Sequence, residues 1–329
     1  MSRSILITGG NGYLGLRLAE ALLSAPDYSD YSIQLWIHAS EQGEREKIAP
    51  IAERFAGAIE SQRLRLCSGE LASAMPFSTV ERAGLEYVIH SAAVTRFTVE
   101  ADLADAVNIK GTEKVLDFAS TCPDLKTIHL LSTVYSSGLR TGDVREEPHS
   151  PGALFSNHYE RSKYESEQVA LKRKDLPINI IRISTLISDD FSGVVSQQNA
   201  FHNTLKLFYY GLLSLFPGEK STPLYFVTGD FVVDAIMAIL RSQQVGKIYH
   251  VCHSAADTAT LEQLVDSVFD TFGTYPDFKI RRVLKPLWAD VESFDLLNDG
   301  MGSLTGGVVA QAVSSVAPFS KQLFAPKDF

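Results

Sequence analysis

Ser4-Ile-Leu-Ile-Thr-Gly-Gly-Asn-Gly-Tyr-Leu-Gly15 stands near the start of this 329-residue chain, and its reading decides the fold. An apolar run enters a cluster of small residues, and apolar positions at helical spacing begin directly after it. Leu16, Leu18, Ala19, Leu22 and Leu23 continue that stripe, and Pro26 follows just past its end. The segment reads as strand, tight turn and helix. Glycines fall at 9, 12 and 15, with Gly10 as an extra. Glycine lets the backbone turn sharply and approach a pyrophosphate, whose charge is met by the N-terminus of the helix. The spacing differs from the commoner Gly-x-Gly-x-x-Gly form. Gly9, Asn11, Gly12, Tyr13, Leu14 and Gly15 are the candidate contacts of this turn to a dinucleotide.

Further strands alternate with helices. Strand patterns cover 33–37, 64–67, 87–91, 127–131, 179–183 and 247–251. Helical patterns cover about 41–58, 100–121, 157–173, 199–211, 229–242 and 260–272. This alternation predicts an α/β fold with a doubly wound parallel sheet of Rossmann type. The expected dinucleotide-binding domain is 1–185 plus 226–254. A smaller, discontinuous substrate domain is expected from 186–225 plus 255–329. Asp299-Gly-Met-Gly-Ser-Leu-Thr-Gly-Gly307 reads as a mobile loop.

Bulk properties narrow the function classes. The composition, 45% hydrophobic and 21% charged, is that of an ordinary globular chain. A net charge of −9 argues against nonspecific nucleic-acid binding, which needs a basic surface. Cys67, Cys122 and Cys252 are scattered and odd in number, with no metal-ligand or disulfide spacing, so they read as packing residues in a reducing compartment. No signal peptide and no apolar run of spanning length is evident, so the expected location is the cytoplasm.

Cofactor choice is read at the end of the second strand, where NAD usually needs a carboxylate for its ribose 2′-hydroxyl. Trp36-Ile-His-Ala-Ser40 has none, and the first acid is Glu41. His38, Ser40, Arg45 and Lys47 are candidates to receive a 2′-phosphate. NADP is therefore expected, with NAD not excluded. A neutral imidazole at His38 is a weak phosphate ligand. Arg45 and Lys47 also fit a solvated helix face in Glu44-Arg-Glu-Lys47.

Tyr159 and Lys163 lie four apart in Asn157-His-Tyr-Glu-Arg-Ser-Lys163, on one face of a predicted helix. Two charges ~6 Å apart at an effective dielectric of ~20 interact by roughly 2.8 kcal/mol, or about two pKa units. On that reasoning the cation brings the phenol down to about 8, close to the range for proton exchange with a carbonyl oxygen.

Together these segments resemble the extended short-chain dehydrogenase/reductases, and within them the fatty acyl-CoA reductase and carrier-protein thioester reductase branch. Five stretches carry the resemblance. They are Thr8–Gly15, His90-Ser-Ala-Ala-Val-Thr-Arg-Phe97, Val107-Asn-Ile-Lys-Gly-Thr112, Leu131-Ser-Thr-Val-Tyr135 with Gly138-Leu-Arg-Thr-Gly142, and Tyr159-Glu-Arg-Ser-Lys-Tyr-Glu-Ser-Glu167. The resemblance implies that Tyr159 protonates a substrate carbonyl during hydride transfer. It implies that Lys163 binds the nicotinamide ribose and that Thr133 hydrogen-bonds the same oxygen, with Ser132 as the rival hydroxyl. Asn108 matches an asparagine of structural or proton-relay role. Ser91, Ala92 and Ala93 are expected to pass under the cofactor, and Glu70 and Leu71 to replace an Asp-Leu beside the adenine. Ile183 stands where a proline usually follows the arginine, here Arg182, which leaves the backbone contact to the nicotinamide open. Thr133 and Tyr159 would form a pair of oxyanion-hole type.

Leu205, Leu207, Phe208, Leu212, Leu213, Leu215 and Phe216 fit either an acyl pocket or the core of the smaller domain. The substrate class implied is an acyl thioester on coenzyme A or a carrier protein, reduced to an aldehyde or alcohol. An epimerase, dehydratase or ketone reductase of the extended family is the alternative, and a nonenzymatic dinucleotide sensor a lesser one. No metal site is expected.

Overall fold

The computed structural model describes residues 3–39, 44–302 and 308–329. Its main sheet has seven parallel strands: β1 (Arg3–Thr8), β2 (Tyr31–His38), β3 (Leu64–Gly69), β4 (Leu85–His90), β5 (Thr127–Thr133), β6 (Ile178–Ile183) and β7 (Ile248–Val251). Their spatial order is β7-β6-β5-β4-β1-β2-β3. The order reverses between β1 and β4, the place where such sheets bind ligands beyond their strand ends. Every strand segment read from the sequence lies within, or one residue past, one of these strands.

Both sheet faces are covered, which explains why the strands read as nearly continuous apolar runs. Alternate residues of β1 enter different cores, as the two-residue period of a strand requires. Ile5 and Ile7 pack with Leu18 and Leu22 of α1 (Tyr13–Ser24) on one face. Leu6 packs on the other face with Val115 and Leu116 of α3 (Lys110–Ala119). Between them in sequence lies α2 (Glu44–Arg54).

The helix expected over 100–121 is one axis with a fault in it. Ala101–Ala104 and α3 are joined by a π-helical turn, Asp105–Ile109, which carries the buried Asn108. Next along the chain are α4 (His158–Lys172), α5 (Ala200–Tyr209), α6 (Gly229–Ser242) and α7 (Leu261–Phe272). Residues 299–302, expected in a loop, are the end of α8 (Val291–Gly302). Phe294, 1% exposed, and Leu297 bind that helix to a third cluster, which overrides the poor helix propensity of its glycines. Residues 303–307 lie outside the described part. The chain then continues through α9 (Val308–Ser320).

The third cluster joins Phe208, Leu213, Phe216, Leu261, Val265, Phe269, Phe294, Val313 and Val316. Phe208, Leu213 and Phe216 are thus buried core residues of this cluster. Among the described residues no helix is long and apolar enough to cross a membrane, and no cluster of side chains suits a metal ion.

Candidate active site

The candidate site is built where α4 lies against the end of β5. Asn157 starts the helix: its Oδ1 accepts from the Glu160 backbone N at 2.9 Å. Tyr159 therefore falls in the first turn, and Lys163 and Glu167 follow at successive i+4 steps on the same face. That face meets three consecutive residues of β5. Lys163 Nζ donates to Leu131 O at 2.7 Å, and Ser132 Oγ donates to Glu167 Oε1 at 2.5 Å. The Tyr159 phenol is hydrogen-bonded to the Thr133 side chain.

Ser132 and Thr133 thus separate. Ser132 serves a buried ion pair, because Glu167 also holds Arg182 of β6 at 2.8 Å with both side chains fully buried. Thr133 caps the short 3-10 turn Val134–Ser137, and its Oγ1 accepts from Tyr135 N at 3.3 Å. An accepted bond leaves the hydroxyl proton of Thr133 to donate.

The expected lowering of the Tyr159 pKa is not found; the direction is the reverse. Burial raises the phenol well above its usual value, the Thr133 hydrogen bond only partly offsets this, and the Glu160 and Tyr135 charges add to the rise. Lys163 does not counter it. Burial brings the Lys163 ammonium down to about 8, with Glu167 opposing, and its charge is directed at the Leu131 carbonyl. The Coulomb argument from spacing counted the attraction and omitted the desolvation of both groups.

Asn108, in the π turn, ties α4 to the strand end after β4. Its Oδ1 accepts from Val94 N at 2.8 Å, and its Nδ2 donates to Val94 O at 3.0 Å and to Ser162 Oγ at 2.8 Å. Ser162 in turn donates to the Tyr159 carbonyl at 2.8 Å.

The glycine turn fits a dinucleotide. Gly9 has φ +72°, and a Cβ there would lie 2.8 Å from Ala92 N; one on Gly15 would lie 2.3 Å from Gly9 O. Only glycine permits that approach, which brings the turn against Ser91 and Ala92 of the 91–93 stretch. Asn11 and Gly12 are exposed, and Tyr13 and Leu14 half-buried. Helix α1 has no side-chain cap and no acid in its first turn, so its leading N–H groups suit an anion. Tyr13 OH donates to Asp189 Oδ1 at 2.8 Å, and Arg17 pairs with the same carboxylate at 3.2 Å.

At the other end of the cradle, His38 of β2 pairs in register with Gly69 of β3, one residue before the exposed Glu70. Desolvation, then the charge of Lys47, hold the His38 imidazole below its usual pKa. Lys47 Nζ donates to His38 O at 3.2 Å. Ser40 and the Arg45 side chain lie outside the described residues. Leu71 is buried against Gly111, and Ile183 is buried in register with Thr133, so these two side chains face the core.

Sequence reasoning missed the aromatic wall of the site. The Phe97 ring lies 5.9 Å from Tyr159, 6.3 Å from Tyr135 and 6.0 Å from Phe319. Phe97 closes one of the matched stretches and could have been flagged; nothing local in the sequence pointed to Phe319. Tyr135 shares a hydrogen bond of 2.8 Å with Thr185, which fits it as wall. His158 is exposed on the helix, and His90 is packed between Thr8 at 2.7 Å and Thr112 at 3.2 Å.

A family model described as male sterility protein matches residues 7–236. Fatty acyl-CoA reductase 1 of Arabidopsis thaliana is 24% identical, over 84% of this chain and 71% of that protein. Two solved structures share the fold. The terminal R domain of the myxalamid PKS-NRPS biosynthetic pathway has a TM-score of 0.73 at 21% identity, covering 98% of this chain and 80% of that one. A thiolation-reductase di-domain from an archaeal non-ribosomal peptide synthetase has a TM-score of 0.70 at 20% identity, covering 98% and 66%.

Proposed function

Because this chain belongs to the male sterility protein family, on the fatty acyl-CoA reductase and thioester reductase branch of the extended short-chain dehydrogenase/reductases, we propose that it reduces acyl thioesters with NADPH. The observation that carries the reading is the convergence of Thr133, Tyr159 and Lys163 at one strand end. When bound, the nicotinamide supplies the hydride. Tyr159 then gives its proton to the carbonyl oxygen, and the Thr133 hydroxyl donates to the same oxygen as negative charge develops there. The raised phenol pKa favours this direction, since Tyr159 is protonated at neutral pH. On this reading Lys163, held against Leu131, binds the ribose. Loss of the thiol from the reduced thioester gives an aldehyde.

A substrate on coenzyme A or a carrier protein is supported by the relatives' described activities, and the preference for NADP by the lack of a carboxylate at 38–39 and by Lys47 of α2, whose Nζ reaches the His38 carbonyl at the end of β2. The test is absorbance loss of NADPH and of NADH with acyl-coenzyme A, carrier-bound acyl groups and free ketones. Turnover is expected with NADPH and thioesters. Reaction with ketones alone refutes the substrate class, and preference for NADH refutes the cofactor. Tyr159→Phe should lower kcat by about 10²–10⁴-fold while cofactor binding is kept; unchanged turnover refutes the role of the phenol.

A further inference from the structure

Residues 318–329, which keep Leu323 in the third cluster, run back to the first turn of α4. Pro318 O accepts from Ser156 Oγ at 2.8 Å and from Asn157 Nδ2 at 2.9 Å. Lys327–Asp328 pairs as a strand with Gly142–Asp143. At the centre lie three buried polar side chains: Glu160 at 0% exposure, Gln322 at 7% and Lys327 at 7%.

Their bonding has one consistent assignment. Lys327 Nζ, which can only donate, lies 2.6 Å from the Gln322 amide, so Gln322 Oε1 must face it. Gln322 Nε2 is then directed at Glu160 Oε2, 2.8 Å away, and at Gly138 O, 3.2 Å away. Glu160 Oε2 also accepts from Ser156 N at 3.0 Å, and Oε1 from Asn157 Nδ2 at 3.0 Å. Each of these partners donates to the carboxyl, and none accepts from it. The arrangement is complete only for a carboxylate, and Lys327 is the cation that faces it.

We propose that residues 318–329 are a working part of the reaction site, in which Lys327, acting through Gln322, holds Glu160 and so fixes the helix start that carries Tyr159. Gln322, Lys327 and Glu160 are positioning residues: none of them is placed to touch a substrate. The inference rests on the role proposed for Tyr159. Burial drives the Glu160 carboxyl up to about 7, opposed by its hydrogen bonds from Ser156, Gln322 and Asn157 and by the Lys327 charge. Lys327 is itself brought down to about 8 by burial, with Glu160 opposing. The titratable groups facing Glu160 are therefore Lys327 on the returning segment, Tyr159 on its own helix and Tyr135 on the turn after β5. Ionised Glu160 completes the clamp and, by its charge, adds to the rise of the Tyr159 phenol pKa that burial sets. Below pH 7 burial favours the protonated carboxyl, whose proton has no acceptor among these partners, so the hydrogen bonds to Glu160 rearrange within the fold.

Two measurements on the full chain test this. In hydrogen exchange, the Ser156 amide reports the clamp with no cofactor or substrate present. Lys327→Met and Gln322→Leu should each speed its exchange by about tenfold or more, while amides of β1 and β4 keep their protection. In kcat against pH, the wild type should lose activity as pH falls through about 7. Lys327→Met should move that fall to higher pH, Lys327→Arg should restore it in part, and Glu160→Gln should abolish it. If either substitution leaves Ser156 exchange and the acid limb as in the wild type, the inference is overturned. A variant that unfolds is recognised by loss of protection in β1 and β4, and Glu160→Gln, which keeps the size and the acceptor oxygen, then decides. Absence of any wild-type turnover would refute the proposed reaction instead, and Ser156 exchange would still decide the clamp.

Discussion

Consecutive residues of a strand point to opposite faces, and at the end of β5 that alternation separates two hydroxyls that composition makes equivalent. Ser132 donates to the buried Glu167, while Thr133 meets Tyr159. Thr133→Val keeps the shape and removes the hydroxyl, so kcat should fall by about 10²-fold with little change in the urea midpoint. Ser132→Ala should do the reverse: Glu167 loses a donor, and unfolding free energy falls by about 1–3 kcal/mol with kcat kept. Steady-state rates and urea titrations on both variants check the division of roles; equal kinetic losses refute it. The strand was legible in the sequence, though two residues short of its end at Thr133, as was the Tyr159–Lys163 spacing. What could not be read was the environment of the phenol. Desolvation depends on what the rest of the chain lays over a residue, and it reversed a shift that pairwise charge alone predicted.

At the scale of elements, α4 is held by a ladder of contacts, one per turn: Tyr159 to Thr133, Lys163 to Leu131, and Glu167 to Ser132 and Arg182. The last is the anchor. Arg182 Nη2 also donates to Glu147 O at 3.0 Å, so the pair fastens the loop before α4 as well. Removing one partner strands a buried charge, so Glu167→Ala should cost about 3–5 kcal/mol. A Glu167→Leu, Arg182→Met double variant should cost less than Glu167→Ala alone, since no charge is left unpaired. Urea midpoints of the two variants settle the order, and a double variant weaker than the single one refutes the account. Nothing in the sequence marked this pair, because Glu167 and Arg182 belong to different elements whose adjacency is set by the sheet order. The π turn at Asp105–Ile109 was hidden for a similar reason. Asn108 turns inward to bonds with Val94 and Ser162, and these exist only after the elements have packed.

Across the whole molecule, the doubly wound sheet leaves two closed apolar cores, and histidines are sealed in and around them. His90, His129 and His149 are 3%, 1% and 8% exposed. Burial brings the first down to about 3 with help from Lys163, the second to about 4, and the third to about 3 with help from Arg182 and Arg140. Unfolded, each would titrate near the ordinary 6.5. Between these values the unfolded chain binds more protons than the folded one, so stability rises with pH there. The contribution is fully present above 6.5 and is lost as pH falls toward 4. Glu160 works the other way, against these three and against His250, brought down to about 4, and His38, also lowered: its raised pKa weakens the fold as pH rises from 4.5 toward about 7. Lys163 and Lys327 have windows between about 8 and 10.5, outside this range. At pH 5 each histidine should cost roughly 2 kcal/mol, a large share of the 5–15 kcal/mol typical of a domain. The urea midpoint should therefore drop steeply between pH 6.5 and 5, and a midpoint that stays flat over that interval refutes the reading. His129 isolates the effect, because neither of its ring nitrogens has a hydrogen-bond partner among the described residues. His129→Leu removes the proton-binding group without leaving a partner unpaired, so it should reduce the drop by roughly 2 kcal/mol at pH 5, with little loss of stability at pH 7.5.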